Sequence, residues 1–226
     1  MKKASNYFTE EDKTIIEQAI ARAESKTSGE IVPVITSVSG RYDRSEDIFG
    51  VLFSLTLLTI AWLSTQEITS IAGQWETEVT TMVTLPWAVA IIFVGFIAGA
   101  ILASFFPALR LIFISKKEMQ QEVERKAIEA FHQFRIRGTK GATGVLIYVS
   151  LYEHNVRVLG DEAINEKLKQ QDWDDVCCLV VEGMKSKQPT EKIVEAIELS
   201  GQLLAEHFPI AEDDQNELPN KLQLID

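Results

Sequence analysis

Two stretches near the middle of the chain lack the polar face that every neighbouring segment carries. Residues 48–64 read IFGVLFSLTLLTIAWLS, seventeen positions without a charge, and residues 85–106 read LPWAVAIIFVGFIAGAILASFF, twenty-two without one. A bilayer core of about 30 Å takes roughly 17–25 helical residues. A buried helix of a soluble core usually keeps a polar face, and these keep only scattered Ser and Thr. The pattern predicts a two-helix transmembrane hairpin with the lipid bilayer as partner. Trp62 and Trp87 fall near the ends that face the intervening loop, where indole rings favour the interface. Gly95 and Gly99 form a GxxxG spacing that lets two helices approach closely.

Orientation follows from the cationic residues. The loop 65–84 holds Glu67, Glu76 and Glu78 and neither Lys nor Arg. Arg41 and Arg44 precede the first span, and Arg110, Lys116, Lys117, Arg125 and Lys126 follow the second. Both termini are therefore expected in the cytoplasm. The long polar segment before the first span argues against a signal peptide.

The flanking segments show helix and strand periods. Thr9 is an N-cap candidate ahead of Glu10, Glu11 and Asp12, and Ile15, Ile16, Ala19, Ile20 and Ala23 recur at helical spacing. That helix is expected to end near Ser28–Gly29. The β-branched run Glu30–Val38 predicts a strand, at an edge or paired on one side at Pro33, whose nitrogen cannot donate. Residues 116–135 predict an amphipathic helix. Val145–Val149 and Asn155–Leu159 predict a hairpin, Asp161–Gln171 a short helix, Val176–Glu182 (VCCLVVE) a buried strand, and Thr190–His207 a helix after Pro189. The tail from residue 211 reads as mobile and acidic. A lone helix and strand at the N-terminus cannot bury one another, so residues 1–47 and 107–210 are expected to form one α/β domain. Its four-stranded sheet, flanked by helices, is interrupted in sequence by the hairpin at 48–106 and followed by the tail 211–226.

Charge narrows the partners. The chain of 226 residues has 22 basic and 33 acidic groups, a net charge of −11, which argues against nucleic acid. Two cysteines exclude a disulfide scaffold, and Cys177 and Cys178, adjacent on a predicted strand, are expected to point to opposite faces as buried reduced thiols.

Candidate chemistry is sparse. The loop RIRGTKGATG, 135–144, offers Arg135, Arg137, Lys140 and three glycines, which suits either an anion cradle or a solvated basic connection. It lacks the P-loop spacing. Asp161 and Glu162 open a helix and suit capping or a cation. Asp172, Asp174 and Asp175 offer hard oxygens without an EF-hand pattern. His132, His154 and His207 show no ligand pairing, and no Ser lies in a GxSxG elbow. No cofactor is evident. Any anion or metal is expected beyond the strand ends, around Thr143, Arg157, Asp161, Asp174 and Asp175.

FTEEDKTIIEQAIARAESKTSGEIVPVITSV and TGVLIYVSLYEHNVRVLGDEAI resemble the two most recognisable stretches of the TPM-domain family, over about residues 5–40 and 116–208. The resemblance implies a TPM-like α/β sandwich and draws attention to Gly144, Arg157, Gly160 and Asp161. Many bacterial members carry membrane helices, some members are phosphatases, and some bind calcium in acidic loops. This chain has Ala142-Thr143-Gly144 where many members have an acidic residue before the glycine, which removes a cation ligand. Two function classes follow. One is a membrane-anchored module that binds a partner or assembles with a membrane-protein complex at the cytoplasmic face. The other is a metal-dependent phosphatase using a divalent cation such as calcium.

Overall fold

The computed structural model describes residues 3–70, 77–211 and 214–226. In chain order the elements are α1 (Glu10–Glu24), β1 (Glu30–Thr36), α2 (Asp43–Ser64), β2 (Gln66–Ser70), β3 (Thr77–Thr81), α3 (Leu85–Phe105) and α4 (Pro107–Leu111). They continue as α5 (Lys116–Gln133), β4 (Gly144–Ser150), β5 (Asn155–Gly160), α6 (Glu162–Lys167), α7 (Asp174–Ser186), α8 (Pro189–His207) and β6 (Gln223–Ile225). They fall into two compact units, Met1–Gly40 with Lys117–Asp226, and Arg41–Lys116.

The first unit is built on a four-stranded mixed sheet of order β5-β4-β1-β6. β1 runs parallel to β4, in register from Glu30 opposite Gly144 to Thr36 opposite Ser150, and β5 returns antiparallel along β4. The N-terminal strand and the strands after the interruption thus share one sheet. β1 and β4 are buried at every position, as expected of central strands covered on both faces. On one face Ile31, Ile35, Val145, Ile147, Val156 and Val158 pack against α1, α7 and α8. On the other, Val32, Val34, Leu146 and Tyr148 meet Val123, Ala127, Ala130 and Phe131 of α5. Thr9 caps α1 in a reciprocal box with Asp12, whose carboxyl is held below its usual range by the Thr9 hydroxyl and amide.

Several expectations need correction. VCCLVVE is not a strand but the centre of helix α7. Its β-branched content suggests a strand, yet Val176, Val180 and Gly183 are buried at steps of four and three, and that face packs on α8. A Cβ on Gly183 would lie 2.5 Å from Cβ of Lys192, so glycine permits the tight α7–α8 turn, which closes through Lys187 at φ 60°. Cys177 is accordingly half-buried and Cys178 exposed, on a helix rather than on opposite faces of a strand.

The fourth strand comes from the tail instead. Its Gln223–Ile225 segment pairs in parallel with Val34–Thr36, and the Asp226 carboxylate accepts hydrogen bonds from Ser5 N (3.0 Å) and Ser5 Oγ (2.6 Å). β1 is therefore central. At Pro33 only β4 lies alongside, because β6 begins pairing one residue later, so the missing donor breaks no ladder bond to β6. The first helix ends at Glu24, the strand at Thr36, and the 161–171 helix divides into α6 and a 3₁₀ turn at Gln170–Trp173.

A buried polar network closes the C-terminal ends of β1 and β4. The Glu153 carboxylate accepts from Ser39 N (3.0 Å), Gly40 N (3.1 Å) and the Ser150 hydroxyl. Ser39 Oγ lies 2.8 Å from Ser150 Oγ and 3.0 Å from the Tyr148 hydroxyl.

In the second unit α2 and α3 pack antiparallel. Gly50 and Ser54 of α2 face Gly99 and Gly95 of α3, and a Cβ on Gly99 would fall 2.9 Å from Gly50 Cα. The GxxxG spacing is thus the close-approach face between these two helices. Glu46 accepts from Arg110 and Ser104, each at 2.8 Å. The loop 65–84, expected as a plain connection, contains the two-stranded β2–β3 ribbon, and its residues 71–76 lie outside the described residues. By length and composition α2 and α3 could each cross a membrane.

Candidate functional site

The N-terminal ends of β1 and β4 and the C-terminal end of β5 meet at one end of the sheet. The chain reaches it through a tight turn after α5, with Arg135 (φ 54°) and Ala142 (φ 50°) in the left-handed region. Thr143 is fully engaged in building this end. Its amide donates to Thr139 Oγ1 (3.0 Å), its hydroxyl to the Ser28 carbonyl (2.7 Å), and its carbonyl accepts from Glu30 N (3.2 Å). Gly144 is required by space. A Cβ there would lie 2.5 Å from the Ile136 carbonyl oxygen. Gly144→Ala is expected to destabilise the unit by about 1–3 kcal/mol through overpacking, read as a lower midpoint in denaturant. An unchanged midpoint would refute the contact.

Asp161 follows β5. Its amide donates to the Gly144 carbonyl (2.9 Å), and its Oδ1 accepts from Glu162 N (2.8 Å) as the N-cap of α6. The residue is only 5% exposed, and Oδ2 is buried without a hydrogen-bond partner among the described residues. Beside it opens a cavity of about 590 Å³. Ile128, Phe131 and Leu159 give it an apolar wall, and Asp161, Glu162 and Glu166 its acids. His132, Arg137 and Asn165 also line it. Asn165 donates through Nδ2 to the Gly160 carbonyl (2.6 Å), which leaves its oxygen as a further acceptor.

The remaining expected residues lie elsewhere. Arg157 sits opposite Tyr148, three residues back along β5, about 10 Å from the strand end at 3.3 Å per residue. Its Nε is buried without a hydrogen-bond partner among the described residues. Asp174 and Asp175 form the first turn of α7. Asp174 and Arg157 both act on the Cys177 thiol, which burial above all, with Asp174, pushes up to about 11 against the lowering by Arg157. The six residues thus divide into Thr143, Gly144 and Asp161 at the sheet end, and Arg157, Asp174 and Asp175 along β5 and α7. Among the described residues no group of three or more His, Cys, Asp or Glu side chains is arranged to hold a metal ion.

The loop 135–144 does meet an anion, one of the chain's own. Lys140 N donates to Glu217 Oε2 (2.7 Å). Glu30, at 6% exposure, in turn accepts from Glu217 N (3.0 Å). Burial raises the Glu30 carboxyl above its ordinary range. Glu24 accepts from Ile31 N (2.8 Å) and is pushed up to about 8 by burial, with Glu30 and Asp214 adding to the rise. Sequence reasoning does not find these buried carboxylates. The available signal is a single acid, Glu30, opening an otherwise apolar strand.

No protein-family model matches the chain, and no curated protein matches it. The fold is similar to the NMR structure of the BA42 protein from the psychrophilic bacterium Bizionia argentinensis. The two are 23% identical, with a TM-score of 0.54 over 96% of this chain and 94% of that one. At that identity the likeness concerns the fold alone.

Proposed function

We propose that the chain is a membrane-anchored binding module, a TPM-like α/β domain held at the cytoplasmic face by the α2–α3 hairpin. The observation that carries the anchor is the outward apolar surface of the second unit. Leu63, Trp87, Phe93, Val94 and Phe105 are 64%, 66%, 66%, 65% and 76% exposed. In water such a surface would drive aggregation. In lipid it is the expected exterior of two helices about 33 and 32 Å long at 1.5 Å per residue. The basic residues flanking the hairpin support cytoplasmic termini.

Binding is favoured over metal-dependent phosphatase chemistry by the separation of the expected ligands, with Asp161 capping α6 at the sheet end and Asp174 and Asp175 in the first turn of α7. Ser39 and Ser150 are buried within the Glu153 network. The Cys177 thiol, raised to about 11, holds its proton at neutral pH. The expected result is that the full chain remains in the membrane pellet after alkaline carbonate extraction. A reporter fused at Gly73 should read outside and one after Asp226 inside. Release of the chain into the carbonate supernatant would overturn the anchor, and a cytoplasmic signal at Gly73 would overturn the topology. Metal-dependent turnover of a phosphoester that Asp174 and Asp175 to Ala abolishes would bring back the enzyme reading.

A further inference from the structure

We propose that residues 106–113 form a second lipid-contacting surface, an interfacial segment folded across the open end of the hairpin and embedded where acyl chains meet headgroups. This rests on the anchor reading and adds to it a surface that neither span supplies.

The length of α3 raises the question. Its 21 residues cover about 32 Å at 1.5 Å per residue, already the full hydrocarbon core of about 30 Å. Residues past Phe105 therefore start where the hydrocarbon ends. Yet the next eight, FPALRLIF, contain a single charge. Phe106, Leu111 and Ile112 are 56%, 39% and 75% exposed. Standing in water, such a surface invites aggregation. Lying in the headgroup–acyl boundary, it is the apolar face expected of a segment that rests in the membrane plane.

The geometry turns the segment sideways. Pro107 disfavours helical backbone at the residue before it, and Phe106, at φ −115° and ψ 86°, breaks the axis between α3 and α4. Ser104 before the break and Arg110 after it donate to the two oxygens of one carboxylate, Glu46, each at 2.8 Å. Phe113 then meets Phe49 edge-on, with ring centroids 6.4 Å apart. Glu46 and Phe49 lie three residues apart on α2, and Phe49 is about 4.5 Å further into the hairpin. The chain thus crosses from α3 to α2 and returns along it instead of leaving the end. The same crossing neutralises the segment. Its only charge, Arg110, is paired with Glu46, and both side chains are 22% exposed. A paired guanidinium costs far less at the edge of the hydrocarbon than a free one. Phe106, Leu111 and Ile112 are left as the outward groups, continuous with the exposed Phe105 at the end of α3.

The test uses the full chain in phosphatidylcholine vesicles, with Cys177→Ala and Cys178→Ala as background. A nitroxide is placed at Phe106→Cys or Ile112→Cys, with Val94→Cys as the reference within a span and Lys116→Cys as the reference in water. Accessibility to oxygen and to a water-soluble nickel complex reads the depth of each. The expected result is an oxygen-to-nickel ratio at both Phe106 and Ile112 at least about threefold above that at Lys116, and below that at Val94. If Ile112→Cys fails to insert, Leu111→Cys reads the same face. A ratio at Ile112 equal to that at Lys116 would overturn the inference, since the segment would then stand upright into water. Low access of both reagents would overturn it as well, by showing a protein surface, a second copy or another partner, over the segment. Ile112 in water on a chain that resists carbonate extraction sinks this inference alone, whereas a chain that carbonate releases sinks the anchor.

Discussion

Glu153→Ala is expected to destabilise the α/β unit by about 3–5 kcal/mol. The residue is 8% exposed, and its carboxylate accepts from the amides of Ser39 and Gly40 and from the Ser150 hydroxyl. Truncation leaves these groups buried and unmatched, at roughly 1–3 kcal/mol for each that water cannot reach. The loss is concentrated where the first unit's chain departs after Gly40 and where β4 turns into β5. Glu153→Gln retains one acceptor oxygen and should lose about half as much. Denaturant unfolding followed by backbone amide exchange in β1 and β4 would measure both. A Glu153→Ala variant within 1 kcal/mol of the parent would show that water satisfies the network.

How far the sequence discloses this architecture depends on which force sets each element. α1 and α8 carry their own signals, a cap or an opening proline and one apolar stripe, and α5 carries the stripe alone; α5 and α8 form where the periodicity places them, while α1 stops at Glu24, short of the expected Ser28–Gly29. β4 and β5 are marked by an apolar run, a short polar turn and a second run, which is the local grammar of a hairpin. α7 is different. Val176 and Val180 stand four apart, as on one helix face, but Cys177, Cys178 and Leu179 fill the positions between them with apolar groups and erase the polar face. Only packing on α8, through Gly183, distinguishes helix from strand there. β6 is hidden for another reason. Three residues are too short a run to show a strand's alternation, and pairing with β1 across nearly two hundred residues of sequence is a tertiary choice.

The candidate site divides along the same line. Gly144 and Asp161 sit at strand ends that hairpin register makes legible, and they do come together. The expected place of Asp174 and Asp175 depends on a strand that is in fact a helix, so their position moves with it. Glu24 and Glu30 become a pair only because the end of α1 and the start of β1 fold under the tail. Neither residue reveals that in isolation.

That pair makes stability depend on pH in the direction opposite to an ordinary salt-bridged carboxylate. Glu24 titrates near 4.5 when unfolded and is pushed up to about 8 in the fold, by burial first and then by Glu30 and Asp214. The native state therefore holds a proton that the unfolded chain has released throughout that interval. Its stabilising contribution is complete below about pH 4.5 and is lost as pH rises through about 8. At about 1.36 kcal/mol for each tenfold change in proton affinity, the loss is on the order of 3 kcal/mol after allowance for partial exposure. Glu30, raised by the same burial, works in the same direction. Since Glu217 N bonds to Glu30, charge building up beside Asp214 and Glu217 should loosen the tail first. Denaturant midpoints are expected to fall between about pH 5.5 and pH 9, and proteolysis within residues 211–226 to accelerate over the same range. Glu24→Gln keeps an acceptor for Ile31 N and removes the titration. It should flatten the profile and stabilise the unit at about pH 9. Parallel profiles for the parent and Glu24→Gln would show that Glu24 ionises freely in the fold.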